Sequence, residues 1–278
     1  MPHPSLQELL NNATALPSIP RIVHQVLKEL DNEDPNPRNV VMLVSTDPVL
    51  TARIIKLANS AMFATRHGIH SLADAVNLLG FTQLRALVTA AALASSFKAV
   101  PGVNLEQFWR YSLNTALVCK TLARNFGVNE GAAFTAGLVH AVGELILHLG
   151  APYSMGMLSS IQFTDLSRRR HENEILGYNF INVSAAFVKN WDFPEVISQA
   201  IDAWCNPLSG DAPNLLAAIL TIASWRAQIL ENNSLPEDAM KSSFPAEAAA
   251  VLKLDPESVF EKDPSEWTSS NQVALFTL

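Results

Sequence analysis

The chain has 278 residues, 49% of them hydrophobic and only 16% charged, with a formal net charge of -7. That balance excludes the broad basic footprint with which proteins neutralise nucleic-acid phosphates. Its two cysteines, Cys119 and Cys205, lie far apart with no Cys-x-x-Cys, which excludes a disulfide scaffold and a zinc-spaced cysteine set. Charge this sparse, against about 25% in an ordinary soluble domain, leaves apolar or neutral side chains on the surface, as a protein contact or an oligomer interface requires. Residues Met1 to Leu10 carry no basic start followed by an apolar run, and no stretch reaches the ~18 unbroken apolar residues of a membrane span. The expectation is a cytoplasmic protein with no membrane and no nucleic acid among its partners.

Helical periodicity runs through most of the chain, and strand-like alternation is scarce. A helix is expected from Pro20 to Leu30, then an acidic loop, Asp31 to Pro37. Asp47-Pro48 opens the next helix, which runs to Ala58: Asp47 caps the free amides of its first turn, and Pro48 sits where no N–H is needed. Asn59 and Ser60 close that helix and brace the loop Ala64 to Ile69, in which His67 and His70 read as surface turn residues. Ser71, with Asp74 three residues on, begins a helix whose stripe is Leu72, Ala75, Val76 and Leu79. Gly80 ends it, and an Ala-rich helix follows from Thr82 to Phe97. After Pro101-Gly102 the pattern predicts helices over Leu105 to Phe126, Gly131 to Leu149, Met155 to Arg170, Asn182 to Asn190, Pro194 to Ala203, Pro213 to Glu231 and Ala246 to Leu252. The one basic run, Arg168-Arg169-Arg170, reads as a solvated helix face. His148 lies near a helix end, where a cationic imidazole suits the dipole. The sum is an all-α unit spanning 1–278, with an N-terminal helical lobe over about 13–100, a second lobe over about 101–254 and an acidic, partly loose tail over 255–278.

Several segments, in this order, resemble one bacterial family. They are Leu16-Pro17-Ser18-Ile19-Pro20; Asp47 to Arg53 running on to Leu57-Ala58-Asn59-Ser60-Ala61; and Ser71 to Gly80 followed by Leu84-Arg85-Ala86-Leu87-Val88. Phe108-Trp109-Arg110-Tyr111-Ser112 looks like that family's aromatic-led helix. Gly137-Leu138-Val139-His140-Ala141-Val142-Gly143-Glu144-Leu145 looks like its Gly-Leu-Leu-His-Asp-Ile-Gly-Lys-Leu segment. Trp191-Asp192-Phe193-Pro194-Glu195-Val196-Ile197 is similar to its Trp-x-Leu-Pro-x-x-Ile stretch. The chain thus resembles the HDOD domain family, signal-output domains related to HD phosphohydrolases, over about Leu16 to Leu208. The resemblance implies an all-α, HD-like bundle and a role in bacterial signal transduction.

HD enzymes hold one or two metal ions on an early His, an adjacent His-Asp pair and a later Asp, and the bound metal acidifies water for attack on phosphorus. The resemblance carries the early His onto Tyr111 and the His-Asp pair onto His140-Ala141. Ala141 has no ligand atom. Asp202 lies in the right part of the chain for the last Asp without a supporting motif, and a His pair of some relatives reads Trp204-Cys205. His140 and Glu144, one helical turn apart, together with Tyr111 are the candidates for a residual ligand site. Arg53, Asn59, Ser60 and Arg85 are candidates for polar contacts on the first lobe. No Gly-rich phosphate loop, Gly-x-Ser-x-Gly or His-Glu-x-x-His occurs.

The expected function is a non-catalytic output or adaptor domain that binds one or more protein partners in a signalling pathway, with a nucleotide as a second candidate ligand, oligomerisation left open, and no metal or cofactor. The alternative is a residual metal-dependent phosphohydrolase or phosphodiesterase of the HD superfamily.

Overall fold

The computed structural model describes residues 3–12, 20–30, 32, 34–59, 68–165, 167–231 and 237–254, with the side chains of 83, 237, 239 and 240 excepted. In chain order the helices are α1 Leu6–Leu10, α2 Arg21–Leu30, α3 Pro37–Ser45, α4 Pro48–Ala58, α5 Leu72–Ser96, α6 Leu105–Asn125, α7 Glu130–Val139, α8 Val142–Gly150, α9 Pro152–Met157, α10 Arg168–Leu176, α11 Phe180–Asn190, α12 Glu195–Asp202, α13 Leu215–Glu231, α14 Glu237–Ser242 and α15 Ala246–Leu252. No strand occurs among the described residues, so the fold is all-α as expected. The chain divides into two compact units, one holding α2–α5 and the other α1 with α6–α15.

In the α2–α5 unit the helix starts follow local chemistry. Asp47 accepts hydrogen bonds from the amides of Val49 and Leu50 at 2.9 and 3.0 Å, ahead of Pro48. Asn36 caps α3 in the same way, accepting from the Arg38 amide at 2.9 Å ahead of Pro37. The sequence reading places no helix there, although Asn36-Pro37 is the same cap-and-proline pair as Asp47-Pro48. Gly80, at φ 71°, breaks α5 where the sequence predicts a stop, because that left-handed conformation is open to a residue without Cβ. The core is aliphatic: Val26, Val40, Val44, Ile54, Leu87 and Leu93 are all fully buried.

The second unit contains two corrections that bear on function. The apolar stretch from 131 to 149 is not one helix: it breaks at His140-Ala141, between α7 and α8. Met155 to Arg170 is not one helix either, but α9, an irregular segment and α10. α1 and α14 are additions that the periodicity does not announce. Two glycines set the helix spacing. A Cβ on Gly137 would lie 2.5 Å from the Ala116 Cα of α6, and one on Gly143 would lie 2.1 Å from the Phe180 carbonyl of α11. Gly143 N–H also donates to Ser184 Oγ at 2.8 Å. Glycine at both ends of the His140 motif is therefore a condition of helix approach. Arg110 ties α6 to α13 through a bidentate pair with Glu231, at 2.8 and 2.7 Å. The stretch Glu130–Gly150 is long and apolar enough for a membrane span by length and composition, and 89% of its apolar 18-residue window is buried inside the protein.

Candidate functional site

His140 stands at the α7–α8 break, fully buried. Its Nδ1 lies 2.6 Å from the Gly137 carbonyl. A carbonyl only accepts, so Nδ1 carries the proton and Nε2 keeps a bare lone pair. That Nε2 is buried with no hydrogen-bond partner. Burial lowers the imidazole pKa to about 3, the Gly137 bond opposing this only in part, so the ring is neutral.

Aromatic rings surround it. Trp204 meets the imidazole edge-to-face at 4.6 Å between centroids, and Tyr111 lies 5.3 Å away. Phe180 packs on Trp204 at 5.5 Å, and Phe163 on Tyr111 at 5.6 Å. The Trp204 indole N–H donates to Ser224 Oγ at 2.9 Å, which in turn donates to the Thr221 carbonyl at 3.1 Å. Tyr111 is buried, which pushes its phenol far above the ordinary range. The structure thus joins Tyr111 and His140 from α6 and the α7–α8 break, and adds Trp204 from the end of α12, a ring to which the sequence alone assigns no role.

These residues do not fit a metal ion. His140 Nε2 is the correct donor in the correct tautomer, but it is one donor. Ala141 offers a methyl group, Trp204 has no acceptor, and the Tyr111 phenol stays protonated. Asp202 is exposed at the end of α12, lining a surface groove of about 570 Å³ with Asn182, Lys189 and Phe193. No group of three or more His, Cys, Asp or Glu able to hold a metal occurs among the described residues. A dication needs about four such donors to survive exchange with water.

Glu144 belongs to a second cluster instead. It is buried on α8, its Oε1 3.2 Å from Arg168 Nε. The same Nε donates to Glu172 Oε1 at 3.2 Å, and Glu172 Oε2 accepts from the Phe180 amide at the start of α11 at 2.8 Å. Arg168 is therefore no solvated cation: it is 3% exposed. Arg170, two positions on, is exposed and pairs with Glu174 at 3.1 Å, so the solvated reading fits that member of the run. His148 corrects a further expectation. Its Nδ1 lies 3.1 Å from the Pro101 carbonyl and its Nε2 3.3 Å from Arg168. Burial and then the Arg168 charge lower its pKa, so it is a neutral link rather than a cationic cap. Burial, followed by the Glu172 charge, pushes the Glu144 carboxyl well above the usual range.

Arg53, Asn59 and Arg85 lie in the α2–α5 unit; Ser60 and His67 fall outside the described residues. Arg53 and Arg85 are half-buried on α4 and α5. Asn59 closes α4: its Nδ2 donates to the Ile55 and Ile69 carbonyls at 3.0 and 2.6 Å, and its Oδ1 accepts from the Ile69 amide at 2.7 Å. Such a two-way amide clamp occupies the side chain structurally.

The HDOD domain model matches residues 16–207, more than half of the chain. The chain belongs to the HDOD domain family. It is similar to a crystal structure from Shewanella amazonensis whose provisional designation is phosphohydrolase, with 28% identity, a TM-score of 0.78 and 96% of each chain covered. A Marinobacter aquaeolei structure, provisionally designated a signal transduction protein, shares 25% identity with a TM-score of 0.71, covering 96% of this chain and 59% of that one. An uncharacterized Treponema pallidum protein is 22% identical over 189 residues, 67% of this chain and 37% of that protein. The chain thus spans about a third of the length of the curated relatives it matches.

Proposed function

We propose that this HDOD chain is a non-catalytic bacterial signal-transduction domain that works by binding a protein partner. The observation that carries the reading is the site itself. At the HD pair a carboxylate is replaced by Ala141, and the surviving His140 is enclosed by Tyr111 and Trp204. Metal-assisted phosphoryl chemistry rests on a ligand set that positions and neutralises the ion, and these side chains supply one lone pair. The signal-transduction designation of the Marinobacter relative supports the signalling half of the reading. Large apolar side chains left exposed on both units, among them Met42 and Tyr153, support the binding half.

The second reading, a residual phosphohydrolase, is favoured by the designation of the Shewanella relative. One experiment separates the two. Protein purified without chelators is analysed for bound metal and assayed for phosphate release from phosphomonoesters and cyclic dinucleotides with manganese. The proposal expects sub-stoichiometric metal and no release above background. Stoichiometric metal with turnover lost in His140→Ala sinks it.

A further inference from the structure

The Arg168 guanidinium has five N–H donors, and each has an acceptor. Nε–H goes to Glu172 Oε1 at 3.2 Å. The Nη1 pair goes to the Leu158 and Ile161 carbonyls at 3.4 and 2.7 Å, and the Nη2 pair to His148 Nε2 at 3.3 Å and Met155 Sδ at 3.5 Å. Glu144 is not among the recipients. Its Oε1 lies as close to Nε as that of Glu172, yet neither Glu144 oxygen accepts a hydrogen bond. The other nitrogen beside it, His148 Nε2 at 4.0 Å, carries no proton because His148 donates through Nδ1 to Pro101. Glu172 is the reverse case: both of its oxygens accept, from Arg168 and from the Phe180 amide. A buried carboxylate without a donor is costly, whereas a carboxylic acid is itself a donor. Two carboxyls beside one guanidinium resolve the conflict by sharing one proton.

We propose that Glu144 and Glu172 form a proton-sharing pair, a latch in which neutral Glu144 donates to ionised Glu172 and so ties α8 to α10. Through Arg168 and His148 the same network reaches the irregular segment after α9 and the Pro101 turn. The charged and titratable groups facing Glu144 are Glu172 and Arg168 from α10 and His148 from α8; α9 meets the cluster through the Met155 sulfur on Arg168 and α11 through the Phe180 amide on Glu172. The HDOD-like motif carries Lys where this chain has Glu144, so the cation of the cluster here comes from Arg168 on another helix. Loss of the shared proton would leave two negative charges against one guanidinium and loosen α8. This inference does not depend on whether the chain binds a protein or hydrolyses a phosphate.

The sign of the pH effect follows from linkage. A carboxyl whose folded pKa is raised stabilises fully below its unfolded value, near 4.5, and loses that contribution as pH rises toward the folded pKa. Glu144→Gln mimics the protonated form. Melting temperatures of wild type and Glu144→Gln are compared from pH 5 upward. The wild type is expected to fall relative to the variant by roughly 3 °C per pH unit, levelling off where the folded protein releases the proton. Parallel curves, with the variant less stable throughout, overturn the proposal, because Glu144 would then be an ordinary carboxylate paired with Arg168. If the variant does not fold, infrared spectroscopy of the wild type with labelled glutamate at pH 7 decides: a buried protonated-carboxyl C=O band supports the latch, and its absence overturns it.

Discussion

The two clusters built on the His140 motif, one at His140 and one at Glu144, have opposite internal chemistry. Around His140 the neighbours are rings: Tyr111 and Trp204 close on an imidazole whose Nε2 is left without a partner. Around Glu144, one turn later, it has kept charge in the interior and matched every donor of one guanidinium to an acceptor. An aromatic enclosure at one point of a helix pair therefore need not give an apolar interior one turn away. The aromatic cluster is held by shape and tolerates a substitution of similar size. The ionic cluster is held by a count of donors and acceptors, and one removal leaves the rest uncompensated.

The sharpest way to break that contrast is Arg168→Met. It strips five acceptors of their donor and leaves two buried carboxyls without a cation, for an expected loss of about 3–5 kcal/mol in urea unfolding. A loss below about 1 kcal/mol, the size of an exposed ion pair, would show that the cluster is wet and weak. Next in size is Gly143→Ala, at the joint between the two clusters. Its Cβ would meet the Phe180 carbonyl at 2.1 Å, which is backbone and cannot swing aside. The expected cost is about 1–3 kcal/mol, read in the same titration, with weakened protection of the Phe180 amide in hydrogen exchange.

The smallest effect at neutral pH is expected from His140→Phe. It removes an orphaned lone pair, loses one hydrogen bond to Gly137 and preserves most of the ring packing, so the net change at neutral pH is within about 1 kcal/mol. Its signature lies in acid. A histidine whose folded pKa is depressed, here to about 3 from 6.5, stabilises fully above pH 6.5 and loses that contribution as pH falls toward 3. The variant should therefore unfold at lower pH than the wild type in an acid titration followed by circular dichroism. Unchanged acid unfolding would mean that His140 is hydrated and free to protonate in the folded protein.

Much of the frame is legible in the residues alone. The Asp47-Pro48 helix start, the Gly80 break and the Ala141 methyl beside His140 are local facts, carried by one or two residues each. The elements that periodicity misplaces share a different cause. Apolar residues dominate from 131 to 149, and periodicity in such a run cannot mark the break at His140-Ala141. Arg168 reads as solvated because it opens an Arg triplet, and a triplet says nothing about which member turns inward. His148 reads as a cation because it lies near a helix end, whereas its burial and the Arg168 charge beside it decide otherwise.

The amino-acid sequence by itself determined that this chain is helical, where most of its helices begin, that it carries the motifs of the HDOD family, and that Ala141 follows His140. Those properties depend on backbone chemistry and on residue identity at single positions. Tertiary structure alone decided that Trp204 closes over His140 and that Arg168 reaches Glu144, Glu172 and His148 together. Protonation, desolvation and donor counting depend on which side chains meet from distant helices, and no local pattern encodes that meeting.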